Sequence, residues 1–363
     1  MNLAAKYPLC YVVAALLAQA GWGQDLGTVT LPADIAEPGT KVESVVEGLS
    51  YSEGPAFDPQ GNLFFSEDPD VNTGRIWKIT PDGVKTTIRD PSDGSNGLQL
   101  DPQGRLVICQ LDTVCRLESD GSLTSLVASG SGLNLARVND LSIGSTGAMF
   151  FTNLQGGTVF FRTPEGDIKT STQFLMPNGV EWIEEKSIVY IAAGKGLSRC
   201  AVNNATGAIG TCQEFAGSTD GLTTDANGNV YRASWGQGSI IVHDSTGQQL
   251  GTIAINAKEV TGKTFFRGQQ GNACNCVFGG ADGTTLYITG DGGCYRIKLK
   301  IPGRVRPQSN GIRIQPIGRK RIALNRQAEA YRAAGIYFLD AEQNRFGLSG
   351  RWDPLPRSGI ANP

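Results

Sequence analysis

With 363 residues the chain is long enough for one large domain or two ordinary ones. Only 18% of residues are charged, 48 are glycine, and Pro, Asn, Asp and Ser recur between short apolar runs, which excludes a helical or disordered chain and marks a turn-rich all-β protein. The net charge of −2 gives no global electrostatic pull toward nucleic acid.

Residues 1–20 read as an export signal. Lys6 is the positive flank, Leu9 to Leu17 a short apolar stretch, and Ala18-Gln19-Ala20 a small-x-small cleavage site. A membrane anchor needs about 20 apolar residues, and this run is too short. The protein is therefore expected to be secreted or periplasmic, with no membrane span.

The strongest signal is a repeat. A side-chain oxygen is followed by a short residue, an apolar run, a turn rich in Asp and Gly, and a second apolar run. The copies begin at Glu53, Asn96, Asn139, Asn178, Asp220 and Asn275, spaced 43, 43, 39, 42 and 55 residues apart. A period near 40 holding several short strands predicts a six-bladed β-propeller over 25–303. Further strand-like runs such as Arg75–Ile79, Ile240–His243 and Tyr295–Ile297 supply outer strands, and Lys41 to Val46 the outermost strand of the last blade. Two packed β-sandwiches are the competing architecture, which six in-phase repeats disfavour.

Outside the leader lie seven cysteines, and an oxidising compartment invites bridges between near neighbours. Cys109 with Cys115 and Cys200 with Cys212 could each staple a hairpin, and Cys294 could reach Cys274 or Cys276. Cys274-x-Cys276 looks ligand-like, but the chain has no CxxC pair and a single histidine, His243, which disfavours a thiolate zinc site. From Arg304 onward eleven Lys/Arg face four acids, so a +7 extension follows a −9 remainder. Residues 304–363 read as a separate basic extension, either disordered or a β-rich sorting tail.

Radial blades aim the leading residue of every repeat at one axis. All six are oxygen donors, which suits one hard divalent cation, Ca²⁺ first, then Mg²⁺, Mn²⁺ or Zn²⁺. Asn-Gly and Asp-Gly are also ordinary turn dipeptides. Here, however, each opens a strand at the same phase of the repeat, and the hairpin turn comes later. Two or three of the six are expected to hold metal and the others to face substrate.

The span Gly48 to Gly303 resembles the senescence marker protein/gluconolactonase family. The resemblance rests on Ser52-Glu53-Gly54-Pro55, Ser95-Asn96-Gly97-Leu98, Arg137-Val138-Asn139-Asp140, Pro177-Asn178-Gly179-Val180, Asp220-Gly221-Leu222 and Leu286-Tyr287-Ile288-Thr289. It implies Glu53, Asn178 and Asp220 as metal ligands, with Arg137, Asn139 and Asn96 facing substrate. Asn275 joins the substrate set as the sixth leading residue. The implied activity is hydrolysis of a sugar (aldono-1,5-) lactone, the cation polarising the carbonyl and Asp220 serving as base. The chain departs from the family's pattern at Gln110-Leu111, at Thr152-Asn153-Leu154 and in having no glutamate within 153–157, which bears on the substrate rather than the reaction class. One histidine and no GxSxG argue against a Ser-His-Asp hydrolase, and no phosphate-binding loop is present. Two alternatives stay open: an esterase or organophosphate hydrolase on the same site, and a non-catalytic, calcium-stabilised propeller that binds sugar or protein.

Overall fold

Each of the six repeats opens with an antiparallel hairpin, and in the first, second and fifth an Asp makes its turn. Asp58 Oδ1 accepts the N–H groups of Gln60 and Asn62 at 3.0 and 2.8 Å, and Asp225 Oδ1 accepts those of Asn227 and Asn229, both at 2.9 Å. A carboxylate that takes two backbone donors in this way holds the chain in a tight turn. The computed structural model describes residues 26–67, 73–128, 131–194, 196–256 and 273–305, together with the strands Phe338–Leu339 and Arg345–Phe346. The proposed export signal lies outside the described residues.

The chain divides into two compact units, Met1–Asn310 and Gly311–Pro363. In the first, the second, third and fourth repeats each form a four-stranded antiparallel sheet. The sheet of the fifth repeat gains another strand, Gly27–Val29, with Gly27 opposite Ile255. The first and sixth repeats share one six-stranded sheet, so the structure has five propeller sheets where six repeats were counted in the sequence. The reason is the long strand Val42–Phe57. Its first part pairs with Thr285–Lys298, Val42 opposite Ile297, and its second part with Leu63–Glu67, Phe57 opposite Leu63. The expected pairing of residues 41–46 with the last repeat is therefore present from Val42 onward. Thr285–Lys298 itself doubles back, since the Leu299 N–H donates to the Thr284 carbonyl at 2.8 Å. The result is a β-propeller arrangement whose one helical element among the described residues is the 3-10 turn Glu184–Lys186.

Burial runs radially. The strands Leu63–Glu67, Leu106–Gln110, Met149–Asn153 and Val230–Ser234 are buried at every position, whereas the outer strands Lys85–Arg89 and Ile168–Gln173 are mostly open to solvent. A sheet wedged between two neighbours hides both faces of its inner strands, so they read as continuous apolar runs rather than as alternation. The third and fourth sheets interlock through Trp182, which meets Phe150 edge-on at 5.3 Å and Phe161 at 5.9 Å between ring centres.

Of the bridges considered in the sequence, Cys200–Cys212 is formed, its residues directly opposite on neighbouring strands. Cys109 and Cys115 stay free. Cys109 stands opposite Val114 and Cys115 opposite Ile108, so their side chains leave opposite faces of the sheet and cannot meet. Cys274, Cys276 and Cys294 are likewise free. Arg304, placed by the sequence at the head of the basic extension, donates to the buried Glu181 carboxylate and to the Trp182 carbonyl, both at 3.0 Å, and so belongs to the first unit. Most of 304–363 lies outside the described residues. Its unit shows one two-stranded pairing, Phe338 opposite Phe346.

Candidate active site

The leading residues of the repeats come together because each inner strand presses against the next. The Gly97 N–H donates to the Asn139 carbonyl at 2.8 Å, Gly179 to Asp220 at 3.1 Å, and Gly221 to Cys274 at 2.7 Å. A Cβ on Gly54 would overlap the Asn96 carbonyl, and one on Gly221 would overlap the Asn275 side chain. The glycine that follows the leading residue in four of the repeats is thus a hub contact, required by the close approach of the neighbouring backbone, rather than a turn signal.

This hydrogen-bond register corrects the sixth position. Cys274, not Asn275, stands where Asn139 and Asp220 stand in their repeats. Asn275 occupies the position after it, filled by glycine in four repeats and by Asp140 in the third. Those two side chains meet, the Asn275 Nδ2 donating to Asp140 Oδ2 at 3.3 Å. The assignment of Asn275 as a substrate residue therefore meets a side chain already turned onto Asp140. The sequence did contain a warning, because the interval before Asn275 is 55 residues against 39 to 43 elsewhere.

Three potential donors converge. One carboxylate oxygen each of Glu53 and Asp220 and the Cys274 sulfur all lie within 4.8 Å of one another. All three residues are buried, Glu53 and Asp220 at 2% and 3% exposure. The Tyr51 hydroxyl donates to Glu53 Oε1 at 3.1 Å, and the Gly54 N–H to Glu53 Oε2 at 3.1 Å. Burial, then the charges of Asp220 and Asp140, push the Glu53 carboxyl well above its ordinary range. Burial, then the charges of Glu53 and Asp220, raise the Cys274 thiol. Anionic side chains gathered out of water in this way fit a divalent cation, whose charge would reverse both shifts.

Asn96 and Asn139 are buried at the same hub and Asn178 is partly buried there, its neighbour Gly179 bonded to the Asp220 carbonyl. Arg137 sits two residues before Asn139 at φ +60°, a left-handed conformation that costs a non-glycine residue on the order of 1 kcal/mol. What holds it there was missed in the sequence. Asn153 accepts the Ala136 N–H and donates to the Asn134 carbonyl, both at 2.7 Å, while the Leu154 N–H donates to the Arg137 carbonyl at 3.0 Å. The departure from the family's pattern at Asn153 is thus the clamp on the arginine loop. Tyr51 was missed as well. Its ring meets the half-exposed Trp235 edge-on at 6.1 Å, beside the convergent donors. An aromatic residue two places before the Glu of the first repeat was the available signal.

Known proteins resemble this chain in sequence and fold. The chain is 24% identical over 317 residues to a gluconolactonase of Zymomonas mobilis, covering 74% of this chain and 84% of that protein. It is 24% identical over 261 residues to a pentonolactonase of Haloferax volcanii, covering 66% and 81%. Among solved structures, a gluconolactonase from Xanthomonas campestris superposes with a TM-score of 0.64 at 24% identity, over 76% of this chain and 95% of that one. The family profile described as SMP-30/Gluconolactonase/LRE-like region matches residues 51–291, from Tyr51 to the buried Asp291, and the chain belongs to that family.

Proposed function

We propose that this protein is an exported, metal-dependent lactonase on a six-bladed propeller, acting on a sugar lactone such as an aldono-1,5-lactone. The observation that carries this reading is the meeting of the Glu53 and Asp220 carboxylates, from the first and fifth repeats, within 4.8 Å in a buried hub. The gluconolactonase and pentonolactonase relatives support the substrate class. The count of six blades is supported by the shared sheet, where Val42–Phe57 and Thr285–Lys298 each supply two strands. Export is supported by the leader pattern and by the Cys200–Cys212 disulfide, which suits an oxidising compartment.

Glu53 and Asp220 would hold the cation, with Asn178 beside them, and the cation when bound supplies Lewis-acid polarisation of the lactone carbonyl. Asp220 takes the proton from the attacking water. Water oxygen then bonds to the carbonyl carbon, the ring C–O bond breaks, and the proton passes to the departing ring oxygen to give the hydroxy acid. Arg137, Asn139 and Asn96 orient the sugar hydroxyls, and Tyr51 fixes the Glu53 carboxylate through its hydroxyl. The test is acid release from glucono-1,5-lactone and from a simple aryl ester, each with added divalent metal or chelator. Metal-dependent lactone hydrolysis lost in both Glu53→Gln and Asp220→Asn is the expected result. Ester hydrolysis alone would favour the esterase reading. Metal binding without turnover of any substrate would favour the binding-protein reading.

A further inference from the structure

Four buried cysteines beside Cys115 are free of disulfides, and three of them behave as small apolar side chains: Cys109, Cys276 and Cys294 each pack within a hydrophobic cluster. Cys274 packs in none of these clusters. Its neighbours are the Glu53 and Asp220 carboxylates and the Tyr51 hydroxyl, which reaches it as a hydrogen-bond partner. Its backbone repeats the hydrogen bond made by the leading residues of the third and fifth repeats, so its side chain leaves the strand at the place where those repeats carry Asn139 and Asp220.

Distance is the second consideration. Zinc binds sulfur at about 2.3 Å and carboxylate oxygen at about 2.0–2.2 Å, which sets tetrahedral ligands about 3.5 Å apart. Donor atoms no more than 4.8 Å from one another therefore need to close by at most about an ångström around a common ion. Thiolate ligands favour Zn²⁺ over Ca²⁺, whereas an all-oxygen set favours Ca²⁺. We propose that Cys274 is a ligand of the axial cation together with Glu53 and Asp220, and that this mixed oxygen–sulfur set makes the site select Zn²⁺ over Ca²⁺. Binding forms a metal–sulfur bond and releases the thiol proton to solvent. The inference rests on reading the hub as a metal site, and it reverses the order of metals that the oxygen donors alone suggest.

The test uses the full chain, reduced and stripped with chelator, and Cd²⁺ as a spectroscopic stand-in for Zn²⁺. Titration should produce a thiolate-to-metal charge-transfer band in the near ultraviolet that saturates at one ion per chain. The band should vanish in Cys274→Ser and persist in Cys276→Ser, whose thiol lies in an apolar cluster. Calorimetry should show Zn²⁺ binding weakened about tenfold or more in Cys274→Ser while Ca²⁺ binding changes little, as loss of a soft ligand requires. Should Cys274→Ser fail to fold, mass-mapped alkylation of the unaltered chain serves instead, with Zn²⁺ but not Ca²⁺ protecting Cys274. A band retained in Cys274→Ser, an unchanged Zn²⁺/Ca²⁺ ratio, or equal protection by both ions would overturn the proposal. Zn²⁺ binding that is lost in Glu53→Gln but indifferent to Cys274→Ser would leave the metal site standing and remove only the thiol. Metal binding unaffected by Glu53→Gln would remove both.

Discussion

Replacing Glu53 by glutamine keeps the shape of the side chain and removes its charge, and its effect should change sign with metal. In the metal-free protein Glu53 has lost its water and faces the Asp220 carboxylate within 4.8 Å. At an effective dielectric of about 20, two unit charges at that distance repel by about 3.5 kcal/mol. Whether the carboxyl bears this repulsion or escapes it by keeping its proton, the folded state is disfavoured at neutral pH. Because burial and neighbouring carboxylates raise the folded pKa of Glu53 above its ordinary value of 4.5, its contribution is favourable below that pH and is lost as pH rises. Glu53→Gln should therefore melt above the parent in chelator at pH near 8, by about 7–14 °C at about 2–4 °C per kcal/mol. The two should converge near pH 4. With metal at about 100 times its dissociation constant the parent should gain about 2.7 kcal/mol and the variant nothing. Thermal melts in chelator and in metal, at both pH values, provide the readout. A variant that melts below the parent in chelator at pH 8, or that keeps the full metal shift, would refute the reasoning.

Other consequences can be read in the same protein. Gly221→Ala should destabilise by about 1–3 kcal/mol through overlap with Asn275, and part of that loss should be recovered in the double variant Gly221→Ala/Asn275→Ala; additive urea midpoints would contradict the contact. Asn153→Ala frees the loop that holds Arg137, so KM for the lactone should rise more than kcat falls, and equal effects on both would assign Asn153 another role. His243 accepts from Arg232 Nε at 3.0 Å through Nε2 and lies 3.0 Å from the Gly247 carbonyl through Nδ1, the arrangement of a neutral ring. Burial chiefly, with the Arg232 charge, depresses its pKa, so its contribution is present above the ordinary value of 6.5 and lost as pH falls through the lowered native value. Urea midpoints should accordingly drop on acidification below pH 6.5, and the drop should shrink in His243→Gln. An unchanged slope in that variant would point to other groups.

Repetition made the fold legible in the chain itself. A strand pair closed by a short polar turn is a local device, and its recurrence about every forty residues can come only from units that stack on like units. That phase placed Glu53 and Asp220 among six axial positions, and the resemblance to the family singled them out, with Asn178, as the expected ligands. Local order could not decide what depends on the neighbouring repeat. The register of the sixth inner strand is set by the hydrogen bond between Gly221 and Cys274, a contact across repeats, and it moved the axial side chain from an amide to a thiol. The same holds for the bridges. Cys200 faces Cys212 across a register, while Cys109 and Cys115, closer in sequence, leave opposite faces of one sheet. Sequence separation measures how far a chain must run to bring two residues together, and only the packed sheets decide in which direction their side chains leave.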